Sequence, residues 1–282
     1  APVTRRAVNA TLSTGISMHY EVLGQGPPLI LLAGTSMDHQ AWGFQLPAYA
    51  PHCTTVSVDN RGAGKSDAPA DPSSYSAAVM ARDTVALLDR LGIERAHFSG
   101  LSLGSAIAQE IALLHPDRVL SLQLHGTWGR SDAWFREAFV NPMTYALDRG
   151  DRRFAFKLGQ ALIMSPYYLE HRGPPPVADM VGRCLIANPP SEAGFRGQLH
   201  ADATHDALDR LCQIRVPTLI TVGEVDMNTP PRYAREVHER IPGSRLHLFR
   251  GVKASHCSLW EMADEFNWVS LDFLLNHARA TS

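Results

Sequence analysis

Gly100-Leu101-Ser102-Leu103-Gly104 sets a serine between two glycines in a GxSxG pattern. Alone the pattern is weak: with Gly and Ser each near ~7% of residues, roughly one chain in ten of this length carries it by chance. Its surroundings sharpen it. Ala96 to Ser99 reads as a strand and Ser105 to His115 as a helix stopped by Pro116, so the serine stands where a strand turns into a helix. A serine there takes a strained backbone conformation that lifts its hydroxyl clear of the sheet. Side chains at positions 100 and 104 would collide with the neighbouring strand and helix. The chemistry suggested is nucleophilic attack on a carbonyl.

A serine hydroxyl is a poor nucleophile until a base takes its proton, and the base needs an acid to orient it. The chain has thirteen histidines. His256 lies between the last strand and the last helix, in Lys253-Ala254-Ser255-His256-Cys257-Ser258. His97 starts a strand, His115 ends a helix, and His125 ends a strand. Two carboxylates, Glu224 and Asp226, follow the strand Thr218 to Val222, on a loop from which either could reach an imidazole.

The elements that must position these groups follow a rhythm. Arg6 to Ser13 and Ile16 to Leu23 read as a hairpin turning at Thr14-Gly15. Pro28 to Ala33 is a continuous apolar run and Thr54 to Val58 is β-branched, as in buried parallel strands. Helices are expected at His39 to Tyr49 and at Ser76 to Leu91, the second stopped by Gly92. Val119 to Leu124, Thr218 to Val222 and Arg245 to Phe249 are further strands. Arg232 to Arg240 and Trp260 to His277 are further helices. The alternation predicts an α/β class, a mostly parallel twisted sheet with helices on both faces. It lapses between residues 127 and 212, which read as helical, aromatic and broken by Gly173-Pro174-Pro175-Pro176 and Asn188-Pro189-Pro190. The domain reading is therefore a core of residues 1–126 and 213–282 with a helical cap, or lid, of residues 127–212.

With these pieces assembled, the chain resembles the α/β-hydrolase superfamily over nearly its whole length. It is similar to the branch of enol-lactone hydrolases, small esterases, cofactor-free haloperoxidases and C–C hydrolases. The residues that carry the likeness are Leu31-Leu32-Ala33-Gly34-Thr35, Asp59-Asn60-Arg61-Gly62-Ala63-Gly64-Lys65-Ser66, the Ser102 turn, Gly223-Glu224-Val225-Asp226 and His256. The resemblance implies the chain order Ser, acid, His, and so a triad of Ser102, Asp226 and His256. It makes Glu224 a structural position and disfavours His125, which precedes both carboxylates in the chain. It implies an oxyanion hole from the backbone N–H groups of Leu103 and Thr35, each donor worth ~100- to 1000-fold in rate. One departure stands out: the family usually has His-Gly before the second donor, and here it is Ala33-Gly34. The Asp59-Asn60-Arg61-Gly62 turn is implied to be structural. Enzymes of this superfamily with Asp or Cys nucleophiles are disfavoured by Ser102.

The expected reaction is hydrolysis of a carboxylic ester or lactone through an acyl-enzyme on Ser102. The alternatives are C–C bond or amide cleavage by the same triad, or a ligand-binding receptor that keeps the triad with vestigial turnover. No cofactor is expected, and no metal-ligand spacing is visible. The four cysteines form no CxxC pair, and Cys53 and Cys212 read as reduced core residues. With net charge -2 and pI ≈ 6.7, neither nucleic acid nor a membrane is an expected partner; a small-molecule substrate is. No apolar run reaches the ~18 residues of a membrane span, no signal core is visible at the N-terminus, and the cytoplasm is the default compartment. The oligomeric state is not legible. Residues 127–212 hold 10 of the 22 aromatic residues in 86 of the 282 positions. That excess predicts an apolar pocket lined by Ser36, Met37, His125, Trp128, Trp134, Phe135 and Phe139, and hence a bulky hydrophobic substrate.

Overall fold

Periodicity of two, read against burial, explains the centre of the molecule. In a computed structural model that describes residues 6–171, 173, 175–187 and 189–278, Pro28–Leu32 forms strand β3. Its Ile30 and Leu32 face one apolar core while Leu29 and Leu31 face another. All four are fully buried, as expected of a strand covered on both faces.

The other strands are β1 (Arg6–Thr11), β2 (Ser17–Gly24), β4 (Thr54–Val58), β5 (Ala96–Leu101), β6 (Val119–His125), β7 (Thr218–Gly223) and β8 (Arg245–Phe249). They form one sheet in the order β1-β2-β4-β3-β5-β6-β7-β8. The β1–β2 and β2–β4 pairs are antiparallel, and the rest are parallel. One core packs under the helices Ala77–Leu91, Leu103–Leu114 and Pro231–Arg240. The other lies under the C-terminal helices and the segment after β3, around Trp42, Tyr49, Trp260 and Phe266. This is the α/β class expected from the sequence, with helices on both faces.

Local signals act where they stand. Ser76 Oγ accepts from Val79 N at 3.1 Å and caps the helix Ala77–Leu91. Gly92 ends that helix in the left-handed region at φ 67°. Three expectations change. The helix over His39 to Tyr49 is two short turns, His39–Trp42 and Leu46–Tyr49, parted at Gly43, where an added Cβ would meet Met180 at 2.7 Å. The final helix is broken at Met262 into Ser258–Glu261 and Ala263–Ala278. Cys212 is exposed rather than core, because its turn Leu208–Gln213 buries Leu208 and Leu211 instead.

Between β6 and β7 the described residues are mainly helical, including Asn141–Asp148, Arg152–Ile163 and Glu192–Thr204. Trp128, Phe135, Phe139, Met143 and Phe195 form a third apolar cluster there, joined by Tyr233 from the helix Pro231–Arg240. Among the described residues no helix is long and apolar enough to cross a membrane.

Candidate active site

Strand β5 passes directly into the helix Leu103–Leu114, and Ser102 is the single residue between them, at φ 53° and ψ −121°. A left-handed φ is costly for a residue with a Cβ. Its neighbours hold it: Ser102 N donates to His125 O at 2.9 Å. A Cβ on Gly100 would lie 2.2 Å from Gly104 O, and one on Gly104 would lie 2.1 Å from Leu32 O. Only glycine allows this turn to close.

The loop after β7 carries the expected acid, Asp226. Asp226 Oδ2 is 2.8 Å from His256 Nδ1. Asp226 Oδ1 accepts from Asn228 N at 2.9 Å and Thr229 N at 2.8 Å, which aims the other oxygen at the ring. Thr229 Oγ1 stands 3.0 Å from both Asp226 Oδ2 and His256 Nδ1. An ionised carboxylate only accepts, so Nδ1 carries the imidazole proton and Nε2 presents a lone pair. His256 Nε2 is buried without a hydrogen-bond partner. It opens into the cavity that Ser102 also lines. The rival Glu224 is exposed and accepts from Gly251 N, away from the ring.

The loop after β3 carries Thr35, which lines the same cavity. Ser36 has φ 64°, and its N–H is committed to Gln198 Oε1 at 2.7 Å. Thr35 Oγ1 donates to Asp202 Oδ2 at 2.6 Å. Gln198 and Asp202 both belong to the helix Glu192–Thr204. Leu103, the first residue of its helix, has no carbonyl one turn behind it to take its N–H.

Residues 27–263 match the family model for the alpha/beta hydrolase fold. The chain belongs to the α/β-hydrolase family. It is 30% identical over 231 residues to the protein named "Putative carbamate hydrolase RutD" of Azorhizobium caulinodans, covering 81% of this chain and 84% of that one. It superposes on the enol-lactonase of Burkholderia xenovorans LB400 with a TM-score of 0.86 at 27% identity, covering 95% and 100% of the two chains. A structure described as an N-acyl homoserine lactone degrading enzyme gives 0.78 at 28% identity, covering 95% and 100%.

In this α/β-hydrolase the expected pocket residues divide. Ser36, Met37 and Phe139 line the cavity at Ser102. Four others do not reach it. His125 is bonded to Ser99 Oγ at 3.0 Å and Thr221 Oγ1 at 2.7 Å, and burial pushes its pKa down to about 3. Trp128 and Phe135 stack on each other at 4.7 Å and are spent on the third core. Trp134 is 42% exposed and lies under the Arg232 guanidinium. Their sequence signal was aromatic content, which does not separate core from pocket.

The apolar lining comes instead from Met143, Phe156, Ile163 and Phe195, with Gln160 and Asn228 as polar members. The cavity is narrow, about 30 Å³. A wider opening of about 790 Å³ shares Phe156 and Gln160 with it and carries Arg152, Arg153 and Lys157. Also invisible in the sequence were Gln198 and Asp202, which act through contacts far along the chain, and Thr229, which bonds both Asp226 and His256. Cys257 is no competing nucleophile, because burial holds its thiol well above the usual pKa. In the Asp59 turn, Arg61 pairs with Asp83 at 2.8 and 2.9 Å, and Asn60 Nδ2 donates to Ala33 O at 2.9 Å. These contacts hold the turn under the Thr35 loop.

Proposed function

We propose that this α/β-hydrolase cleaves carboxylic esters or lactones through an acyl-enzyme on Ser102. The observation that carries the reading is the His256–Asp226 pair at 2.8 Å, whose unpartnered Nε2 shares one cavity with a strained Ser102. His256 Nε2 takes the Ser102 proton as Oγ attacks the carbonyl carbon. The Leu103 and Thr35 N–H groups stabilise the oxyanion. His256 then gives its proton to the leaving oxygen, and water repeats the cycle on the ester formed at Ser102.

Residues 127–212 act as the cap and set the substrate. The apolar part fits between Phe139, Phe156, Ile163 and Phe195, and the remainder extends into the opening beside Arg152, Arg153 and Lys157. An elongated, largely apolar ester or lactone suits this shape better than a short acetate, since each Å² of apolar surface buried yields ~25 cal/mol. Enol-lactone and acyl homoserine lactone cleavage by structural neighbours supports the lactone reading. Carbamate or amide cleavage is the second reading, favoured by the name of the RutD relative.

A fluorophosphonate reagent tests the nucleophile: one adduct per chain is expected, mapped to Ser102 and lost in Ser102→Ala. An adduct elsewhere overturns the assignment. A panel running from p-nitrophenyl acetate to long aryl esters, lactones and carbamates tests the substrate class. A kcat/KM that peaks at acetate would defeat the elongated-substrate reading.

A further inference from the structure

His19 and Glu21 lie two positions apart on β2, so both side chains leave the strand on one face. The turn after β3 brings His39 against them. All three are buried, and one ligand-type atom from each lies within 4.8 Å of the others. His39 Nε2 stands 3.3 Å from Glu21 Oε1. Two ligands on one tetrahedral ion, with bonds of ~2.0–2.1 Å, stand about 3.4 Å apart.

The imidazole orientations are the second observation. Asn9 pairs with His19 across the β1–β2 ladder, and His19 Nδ1 is 2.6 Å from Asn9 Oδ1. The Asn9 amide nitrogen is turned the other way, toward Lys65 O. An amide oxygen only accepts, so His19 Nδ1 carries the proton and Nε2 holds a lone pair. That Nε2 is buried with no hydrogen-bond partner. His39 repeats the pattern: its Nδ1 is 2.6 Å from Asp59 Oδ1, which leaves Nε2 toward Glu21. Each imidazole thus has an oxygen behind it that fixes its tautomer, the outer-shell arrangement that metal-binding histidines use.

We propose that His19 Nε2, a Glu21 carboxylate oxygen and His39 Nε2 form a binding site for a late first-row divalent cation such as Zn²⁺. Two imidazoles and one carboxylate suit Zn²⁺ rather than Ca²⁺ or Mg²⁺, which prefer all-oxygen ligands. The ion gives His19 Nε2 its missing partner. Any proton on His39 Nε2 leaves to solvent as the metal takes its place. The Glu21 carboxylate places negative charge beside the ion. His39 also lines a surface groove with Leu23, Gln40 and Gly43, which offers a path from solvent. None of the three ligands lines the Ser102 cavity. The ion is therefore structural: it ties β2 to the segment that continues from the Thr35 loop. The ligand spacing, one residue and then seventeen, matches no metal motif, so the sequence expectation of no metal could not detect it.

The test is a titration of the full, chelator-stripped chain carrying Ser102→Ala, so that its outcome does not depend on the hydrolase reading. Zn²⁺ is followed by calorimetry and Co²⁺ by visible absorption. One equivalent per chain is expected, with the intense visible bands of a low-symmetry Co²⁺ site and a rise in Tm. Asn9 is exposed on the edge strand, so Asn9→Ala should fold and weaken binding about 10- to 100-fold by removing the oxygen behind His19. His19→Gln should abolish binding, while the exposed His171→Gln leaves it unchanged. Absence of stoichiometric uptake, or uptake undiminished in both Asn9→Ala and His19→Gln, overturns the site. Should His19→Gln fail to fold, Asn9→Ala alone decides.

Discussion

Thr35 Oγ1 donates a 2.6 Å hydrogen bond to Asp202 Oδ2, joining the loop after β3 to a helix 167 residues further along the chain. Ala33, which precedes this loop, offers it no side-chain hydrogen bond. Gln198, one turn before Asp202, adds a bond to Ser36 N. The helix Glu192–Thr204 thus anchors the Thr35 loop from across the cavity. Burial raises the Asp202 carboxyl to about 7, with the Thr35 hydroxyl working in the opposite direction.

A stability profile follows from that raised value. Folded protein holds a proton on Asp202 that the unfolded chain releases above its ordinary value of 3.8. The contribution is fully present below about pH 4 and is lost as pH rises through about 7. Asp202→Asn keeps a neutral acceptor in place, so its urea midpoint should decline less than the wild type's between about pH 5 and 8. An identical decline in both proteins would mean that Asp202 is not the titrating group.

Removing the anchor altogether should reach the chemistry. Asp202→Leu frees the Thr35 loop, and losing one oxyanion donor costs about 10²–10³-fold in kcat. The expected pattern is a kcat reduced by as much as about 100-fold, with KM for a good ester little changed and Asp202→Asn near wild type. Equal losses in Asn and Leu variants would point to a general packing defect.

The two carboxylates after β7 are separable by rate. Asp226→Asn should lower kcat by about 10⁴-fold, as in triads that lose the group fixing the histidine tautomer. The Glu224 side chain meets only Gly251 N and an exposed Arg250 among its described contacts, so Glu224→Gln should stay within a few-fold of wild type. A larger loss at Glu224 would reverse the assignment.

Gly126 lies at φ 54° against the His256 ring, where an added Cβ would stand 2.7 Å from Cε1 and 2.9 Å from Nδ1. Gly126→Ala must strain its own backbone and push the imidazole off Asp226. We expect a marked drop in both ester turnover and fluorophosphonate labelling rate, larger than the loss in Tm would suggest. Labelling at the wild-type rate would show that the ring has room to move.

Arg61 and Asp83 make a buried, bidentate pair, with the Asp83 side chain fully covered. Breaking such a pair on one side costs about 3–5 kcal/mol. Asp83→Ala should therefore destabilise the fold strongly, measured by urea unfolding, while the protein that remains folded keeps its specific activity. Loss of activity without loss of stability would assign the Asp59 turn a part in the chemistry.

The Ser102 turn and the sheet were legible in the sequence because their signals are local. Gly100 and Gly104 are required by backbone atoms within a few residues or on the adjacent strand. The strands Thr54–Val58 and Arg245–Phe249 have the bounds their apolar and β-branched runs predict. Asp226 and His256 were nameable only because the chain resembles a family with a fixed order; nothing local separates Asp226 from Glu224. The pocket was legible only in part: Ser36, Met37 and Phe139 line the cavity at Ser102. Trp128, Phe135 and Trp134 have the composition of a binding site, yet the first two are consumed by a core and the third faces solvent. Asp202 and His19 carried no signal at all, since an ordinary helix aspartate and an ordinary strand histidine look the same whether or not a distant partner exists. Local backbone preference and hydrophobic periodicity are properties of neighbours in sequence. Which polar atom meets which is decided only when the sheet, the turn after β3 and the helix Glu192–Thr204 close on one another and water leaves.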